Sequence, residues 1–294
     1  MIMKKNYPNT PKFEFETKEI SRFEATELVQ TFHYSKTMPN LTKHFLGCYL
    51  ENELVGVLTL GWGTQPRQTI NKLFEGYSTK DYYEIGKMCM NEDMPKNSET
   101  QMLSTVVKWL KENCPEKKFL FTWADGIMGK PGYVYQAANF FYGGFIWTTI
   151  YISDKGEKIH PRSSKRLCEE NVKFKLEREP DFFVGKKGER IYWLTQDFLD
   201  YKGISKIRGK QFLYILPLNK RAKKYLKKST VPWGLNYPKT SDLIWNKSKM
   251  NCEGKTEKVI LESMPYIDSN MTEYNSKNVN RHKKVERGTL EEFL

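Results

Sequence analysis

The stretch NSETQMLSTVVKWLKENCPEKKFLFTWAD, residues 97–125, decides the fold. Its first part, residues 97–113, predicts an amphipathic helix, and Ser98 with Gln101 predicts a capping box at the helix start. The last part, residues 119–125, is a short apolar run that predicts a buried strand. The helix prediction depends on the 0, 3, 4, 7 spacing of its apolar residues, which are Leu103, Val106, Val107 and Leu110.

The segments on either side continue this alternation of helices and strands. A helix is predicted for SRFEATELVQTF, where Ser21 and Glu24 form a capping box, and a hairpin for HFLGCYLENELVGVLTLGWG. A short helix with Pro131 near its first turn follows residue 125. Further strands are predicted at 81–90, 145–153, 172–179, 189–195 and 211–217. This mixed order predicts an α/β fold, a sheet with helices on its faces.

The composition of the chain changes after Pro217. Residues 218–230 hold six basic residues and no acidic one, and from about Asn246 the chain is rich in Asn, Lys, Ser and Glu. Such composition is typical of weakly ordered segments. We therefore predict a catalytic domain over 1–217 and a basic, weakly ordered C-terminal extension over 218–294.

Charge and cysteine content restrict the partners and the compartment. The 294 residues carry a net charge of +13, which favours a polyanionic partner such as DNA, RNA or a membrane surface, with nucleic acid preferred. Five scattered cysteines without a CxxC pair argue against a zinc site or a disulfide framework and favour a reducing cytoplasm. The sequence has no apolar run of membrane-spanning length, and the first residues lack the apolar core of a signal peptide.

Three basic segments interleave Lys and Arg with Tyr and Phe: HPRSSKR, KGISKIRGKQ and LNKRAKKYLKK. A solvated, non-binding face is the alternative interpretation. We favour contacts with DNA phosphates, which position a duplex without determining which sequence is recognised. The predicted DNA-binding residues are Arg162, Lys165, Arg166, Lys206, Arg208, Lys210, Lys220 and Arg221.

The segment TWADGIMGKPGYVYQAANFFYGG, residues 122–144, suggests a phosphate-binding loop at first sight. A P-loop requires GxxxxGK followed by Ser or Thr. Here Gly126 and Gly129 are only three residues apart, and Lys130 is followed by Pro131. Both the spacing and the missing hydroxyl exclude a nucleotide-triphosphate loop.

Several sequence motifs resemble one family. The predicted element order resembles the GNAT acyltransferase fold, whose sheet is mixed and mostly antiparallel. Over roughly residues 20–220, the chain also resembles the Mom family of phage DNA-modification proteins. The motifs that carry this resemblance are HYSKTMP, LVGVLTLGWGTQP, YYEIGKMCM, TWADGIMGKPGYVYQAANFFYGG and GEKIHPRSSKR. The resemblance implies a transferase that adds a carbamoylmethyl group to the N6 amine of adenine in DNA and so protects phage DNA from restriction.

The resemblance also selects candidate catalytic residues, each with a plainer alternative. Asp125 ends a buried strand and assists the weakly nucleophilic adenine amine, although an N-cap or turn Asp is common there. His33 suits proton transfer and Tyr34 suits stacking on a base, although a lone His is often structural. Tyr135 is placed at the same cleft and Tyr133 at the substrate, although either ring also suits a helix core. The extruded base would enter this cleft.

Three further residues are assigned to substrate contacts: Glu84, Ser98 and Lys130. The donor remains unknown from sequence. A GNAT protein holds the CoA pyrophosphate with a Gly-rich loop, but here the corresponding segment, MNEDMPKNSETQML, contains no glycine and is interrupted by Pro95. This disfavours acetyl-CoA. A glycyl donor such as aminoacyl-tRNA supplies the two carbons and one nitrogen of a carbamoylmethyl group.

The sequence therefore predicts a DNA-modifying transferase in the cytoplasm of a bacterial host, acting on double-stranded DNA. Transfer RNA is a candidate second partner, and no membrane association is expected. A GNAT acyltransferase for a protein or small-molecule amine is one alternative, and a non-enzymatic nucleic-acid-binding protein is another. No metal is assigned, although a metal near His33 and Asp125 is compatible with the sequence.

Overall fold

The computed structural model describes residues 12–63, 66, 69, 73–74, 76–159, 165–181 and 194–268. The chain forms two compact units. The first unit is drawn from residues 1–124, 132–144 and 212–238, and the second from residues 125–131, 145–211 and 239–294. In the described part of the chain, no helix is long and apolar enough to cross a membrane.

The described helices and strands follow the order expected of a mixed α/β protein. The helices are α1 (Arg22–Phe32), α2 (Ser98–Asn113), α3 (Tyr133–Ala137), α4 (Lys165–Arg178), α5 (Gln196–Tyr201) and α6 (Lys220–Tyr225). The strands are β1 (Glu16–Glu19), β2 (Thr42–Leu50), β3 (Glu53–Gly61), β4 (Tyr82–Met90), β5 (Phe119–Ala124), β6 (Phe141–Ile152), β7 (Lys158–Ile159), β8 (Ser205–Pro217), β9 (Trp245–Met250) and β10 (Thr256–Leu261).

The sheet of the first unit has the strand order β1-β2-β3-β4-β5-β8. These neighbours pair antiparallel except β4 and β5, which are parallel because α2 connects them as a crossover. The predicted hairpin is confirmed as β2 and β3. Its turn residues Glu51 and Asn52 both have positive φ, 51° and 70°, as tight hairpin turns require.

Helices α1 and α2 cover opposite faces of this sheet. Ala25 and Val29 of α1 pack with Val57 of β3 in one buried cluster. A side chain on the adjacent Gly56 would instead meet Met102 of α2, with its Cβ 3.0 Å from the sulfur. Because successive strand residues point to opposite faces, the sheet lies between the two helices. The predicted amphipathic helices 21–32 and 97–113 are thereby confirmed.

The predicted capping box at the start of α1 is confirmed, and we expect it to contribute measurably to the free energy of unfolding. Ser21 Oγ accepts from Glu24 N at 3.1 Å, and Ser21 N donates to Glu24 Oε2 at 2.9 Å. We expect Ser21→Ala to lower the free energy of unfolding by about 1 kcal/mol, because one helix N–H loses its acceptor. Urea denaturation measures this change. Thr31→Ala, at the other end of the same helix, is the control, and an equal loss there would contradict the capping role.

The predicted capping box of α2 is wrong. The N-cap is Asn97, which has a φ of 74° and makes no side-chain capping bond. Ser98 is the first helical residue, and its Oγ donates to Pro95 O at 2.6 Å. Gln101 Oε1 accepts instead from the backbone N–H of Phe13 at 2.9 Å. A distant segment has therefore taken the acceptor that the local motif would have used.

The predicted strand at 172–179 is also wrong, because these residues belong to α4. Apolar residues alternate at Val172, Phe174 and Leu176, a pattern that resembles a strand. Burial follows a helical period instead, with Cys168, Asn171 and Phe174 all buried. The predicted strand at 189–195 falls mainly outside the described residues, whereas 211–217 is confirmed within β8.

The second unit has its own core and its own strand pairs. The last residues of β6 pair with β7, and the first residues of β8 pair with β9, which pairs with β10. Helices α4 and α5 share a buried cluster that includes Phe174, Phe198 and Leu199. Strands β9 and β10 and helix α6 all lie beyond residue 217. The predicted domain boundary at this residue remains a prediction.

Candidate functional site

The parallel strands β4 and β5 separate part of the way along their length. They pair only at Tyr82–Phe119, Tyr83–Leu120 and Glu84–Phe121. Beyond this point, β4 stays paired with β3 up to Met90, and β5 stays paired with β8 up to Ala124. The two strands thus each keep one neighbour and leave an opening between them, which we call the β4/β5 opening and which begins at Glu84.

Two features shape the β4/β5 opening. A register shift between Thr59 and Leu60 of β3 leaves Gly86 as an extra residue of β4, and such bulges bend a strand. On the other side, Thr122 of β5 is buried, and its Oγ1 has no hydrogen-bond partner among the described residues. A buried hydroxyl without a hydrogen-bond partner is uncommon in folded proteins.

Glu84 is the titratable residue at the mouth of the β4/β5 opening. Burial raises the pKa of its carboxyl group to about 7, from an ordinary value of 4.5. The carboxylate lies against the backbone of Gly63, where an added Cβ would be 2.8 Å from Glu84 Cδ. Gly63 also has a φ of 68°, so both its conformation and its neighbour require glycine. Burial thus favours the protonated form of this carboxyl group more than in an exposed glutamate.

His33 and Tyr34 follow the end of α1 in the first unit. His33 is the C-cap residue of α1 and is buried. Its backbone N–H donates to Val29 O at 3.1 Å. Its ring stacks on Tyr34 with centroids 4.3 Å apart. Its Nδ1 lies 2.9 Å from Ser35 N and 3.0 Å from Ser35 O. Because a donor and an acceptor are both in reach, this nitrogen can be satisfied with or without a proton.

The predicted tyrosines differ in exposure. Tyr135 is buried, and its ring packs against Phe140 and Tyr214 at centroid distances of 5.4 and 5.6 Å. Tyr133 is 53% exposed. Of the two rings, Tyr133 is therefore the one whose surface a ligand can reach. Ser98 is fully buried, and its hydroxyl group donates to Pro95 O. This bond connects the Ser98 side chain to the loop before α2.

Asp125 lies in the second unit and caps the short 3₁₀ turn Gly126–Met128 through its backbone. Its carbonyl oxygen accepts from Met128 N at 2.8 Å and Lys130 N at 3.1 Å, while its carboxylate makes no capping bond. Gln211 Nε2 donates to Asp125 Oδ1 at 2.7 Å. Lys130 itself is exposed. The carboxylate is thus oriented by a side-chain amide and does not serve the turn.

Lys158 is a further titratable group near Asp125 in the second unit. Burial lowers the pKa of its ammonium group, and the negative charge of Asp125 partly offsets that effect. Sequence reasoning missed Lys158, Gln211 and Thr122. These three residues lie on different strands, so their positions depend on how distant parts of the chain pair, and no local sequence signal marks them.

The predicted DNA-binding residues lie in several elements. Arg166 is exposed on α4 and pairs with Glu170 at 2.8 Å, and Lys220 and Arg221 begin α6. Lys206, Arg208 and Lys210 alternate along β8 in the second unit. Arg162 and the side chain of Lys165 lie outside the described residues. Within the described residues, no group of three or more His, Cys, Asp or Glu side chains could hold a metal ion.

The described topology defines the class of this protein. The chain forms, in order, a helix, a hairpin, strand β4, crossover helix α2 and a parallel strand, β5, that pairs with only part of β4. This order makes it a GNAT-like α/β protein, as predicted from the sequence. Within this class, the chain belongs to the Mom protein family, whose model matches residues 14–239.

The chain is also similar to individual relatives and to solved structures. One relative is Methylcarbamoylase mom of Escherichia phage Mu, 33% identical over 147 residues, or 50% of this chain and 60% of that protein. The match thus spans about 60% of the phage protein's length. An N-acetyltransferase from Staphylococcus aureus Mu50 has a TM-score of 0.33 at 12% identity, over 69% of this chain and 97% of its own. A Bacillus subtilis acetyltransferase in complex with CoA has a TM-score of 0.32 at 13% identity, over 71% and 100%.

Proposed function

We propose that this protein is a transferase that modifies the N6 amine of adenine in DNA with a glycine-derived, carbamoylmethyl group. The Mom family membership and the name of the phage Mu relative support a DNA-modifying activity. The net charge of +13 supports a polyanionic substrate. The observation that carries the proposal is the carboxyl group of Glu84, with a pKa of about 7, at the mouth of the β4/β5 opening.

Glu84 serves as the proton acceptor in this proposal. The lone pair of the adenine amine is delocalised into the ring, so the amine needs a base as it attacks an acyl carbon. A carboxylate whose pKa lies near the working pH is the most effective general base, because it is partly ionised and still accepts a proton readily. The burial that raises the pKa of Glu84 therefore also suits it to this step.

The reaction forms one bond and breaks one bond. The amine nitrogen attacks the ester carbonyl of a glycyl donor, the proton of the amine passes to Glu84, and the ester oxygen leaves with the donor's remainder. The first product is an N6-glycyl amide. The carbamoylmethyl form is an isomer with the same atoms, so it requires a rearrangement after transfer. The mass alone does not distinguish the two products, but their fragmentation does.

The loop between β4 and α2 supports a donor other than acetyl-CoA. Three of its backbone N–H groups bond within the loop itself: Asp93 N to Asn91 Oδ1 at 3.1 Å, Met94 N to Asn91 O at 3.1 Å, and Ser98 N to Pro95 O at 3.2 Å. A pyrophosphate needs several outward-pointing N–H groups, usually supplied by glycines. The donor in this proposal is therefore a glycyl ester such as glycyl-tRNA.

A reaction with purified components tests this proposal. Protein and plasmid DNA are mixed with either glycyl-tRNA or acetyl-CoA, and the DNA is digested to nucleosides for tandem mass spectrometry. We expect a modified adenine nucleoside with glycyl-tRNA and unmodified DNA with acetyl-CoA. Modification with acetyl-CoA alone would overturn the donor assignment, and acylation of added protein in place of DNA would overturn the substrate.

A further inference from the structure

On one face of the sheet in the second unit, side chains of β8 are partly exposed among the described residues. Along the first half of β8, Ile207 and Gly209 are buried, while the intervening Lys206, Arg208 and Lys210 are half-exposed. The buried side is covered by the turn that contains Ile127, since a Cβ on Gly209 would lie 2.8 Å from Ile127 Cγ1. The three cations therefore point to the opposite, outer face.

Large rings on β6 lie beside these cations. Phe145 is 44% exposed and Trp147 is 39% exposed, and their rings meet edge-on with centroids 5.7 Å apart. The Arg208 guanidinium lies 5.0 Å from the centre of the Trp147 ring, and Lys210 Nζ lies 4.8 Å from that of Phe145. We call these four residues the ring-and-cation face.

The neighbouring strands extend this face and its positive charge. In antiparallel strands, paired residues place their side chains on the same side of the sheet. Lys206 pairs with Ser248, which pairs with Lys258, and Arg208 pairs with Asn246, which pairs with Ile260. Ile260 is 73% exposed. Cationic, amide and apolar side chains thus continue across β9 and β10, and no acidic residue stands in these two rows.

We propose that the ring-and-cation face binds an unpaired segment of DNA, with bases stacked on Phe145 and Trp147 and phosphates held by Arg208 and Lys210. Exposed rings suit unpaired bases because a paired base inside a duplex keeps its faces stacked on its neighbours. The positive charge beside them matches the phosphate backbone. The choice of DNA rests on the proposed function, since extruding an adenine leaves nucleotides unpaired.

Fluorescence anisotropy with labelled oligonucleotides tests this inference without any donor. Single-stranded DNA, duplex DNA and single-stranded RNA of one sequence are titrated with wild type, Trp147→Ala and Phe145→Ala. We expect each ring variant to weaken single-stranded DNA binding about tenfold and duplex binding less than threefold. Arg208→Ala is expected to reduce the log–log salt dependence by about 0.7, which the ring variants leave unchanged.

Two controls separate a lost contact from a damaged fold. Trp147→Phe keeps a ring and is expected to retain most of the binding, while Phe23→Ala removes an exposed ring from α1 and is expected to change nothing. Wild-type affinity in a double Phe145→Ala, Trp147→Ala variant would overturn the inference. Tighter binding of single-stranded RNA than of single-stranded DNA would overturn it in favour of an RNA ligand. Because no modification is measured, either outcome is distinct from a failure of the proposed function.

Discussion

Glu84→Gln is expected to reduce DNA modification at least about 100-fold, because it removes the proton acceptor and retains the side-chain shape. Glutamine cannot accept the amine proton, whatever the pH. In cells producing the variant, plasmid DNA should therefore contain no detectable modified adenine. The wild-type rate should rise with pH and level off above an apparent pKa of about 7, the value to which burial raises the carboxyl group of Glu84.

The raised pKa of Glu84 also determines the direction in which the free energy of unfolding changes with pH. The folded-state pKa of about 7 lies above the ordinary 4.5, so the folded state favours the protonated carboxyl group. Its contribution to stability is full below pH 4.5 and is lost as the pH rises through 7. For a shift of this size, wild type loses on the order of 3 kcal/mol relative to Glu84→Gln across that range.

Urea denaturation of both proteins at several pH values measures this difference. Glu53→Gln, an exposed carboxylate at the start of β3, is the matched control and should change neither activity nor the pH dependence of stability. A Glu84→Gln variant that modifies DNA at the wild-type rate would contradict the role of Glu84. An unfolding free energy with the same pH profile in both proteins would contradict the raised pKa.

Gly132→Ala is expected to destabilise the protein by about 3 kcal/mol. Gly132 precedes α3 with a φ of 93°, a conformation that costs other residues about 1 kcal/mol. An added Cβ would also lie 2.6 Å from Tyr214 Cε2 and 2.9 Å from Ala124 Cβ. Tyr214 is fully buried, and its hydroxyl group accepts from Gln136 Nε2 at 3.0 Å, so the ring cannot easily move away. Overpacking of this kind costs roughly 1–3 kcal/mol.

Gly144 supplies a matched control for this prediction. It has nearly the same φ, 92°, but an added Cβ would meet no atom within 4 Å. Gly144→Ala should therefore cost only the backbone term of about 1 kcal/mol. Denaturation midpoints of the two variants separate the contributions. Equal losses in both variants would show that the Tyr214 ring moves away from the added methyl group, and would contradict the predicted cost of overpacking.

Local patterns predicted the elements that local interactions determine. The cap of α1 lies within four residues, and the hairpin of β2 and β3 depends on its two-residue turn, so the sequence displays both. The α2 cap was predicted wrongly because Gln101 bonds to the distant Phe13, and an isolated segment carries no trace of that partner. The α4 helix was predicted as a strand because its apolar residues Val172, Phe174 and Leu176 alternate, although the segment also holds i,i+4 ion pairs such as Arg166–Glu170.

Sequence motifs supplied the residues of the candidate site, and their assignment to catalysis or substrate contacts remains a prediction. Glu84 was assigned to a substrate contact from its motif, but the raised pKa of its carboxyl group depends on burial in the folded protein, which the motif does not reveal. Likewise, the alternating cations of β8 were evident as a basic segment. Their neighbours Phe145 and Trp147 lie some 60 residues earlier in the chain, so only the sheet brings the rings and cations together.

Tandem mass spectrometry of nucleosides from plasmid DNA of cells that produce this protein is the decisive measurement of the proposed DNA modification. Plasmid is isolated from cells producing wild type, Glu84→Gln or Glu53→Gln, and each digest is searched for adenine with a two-carbon, one-nitrogen group on N6. We expect this nucleoside with wild type and Glu53→Gln and its absence with Glu84→Gln. Unmodified adenine from cells that contain folded, DNA-binding wild-type protein would contradict the proposed modification.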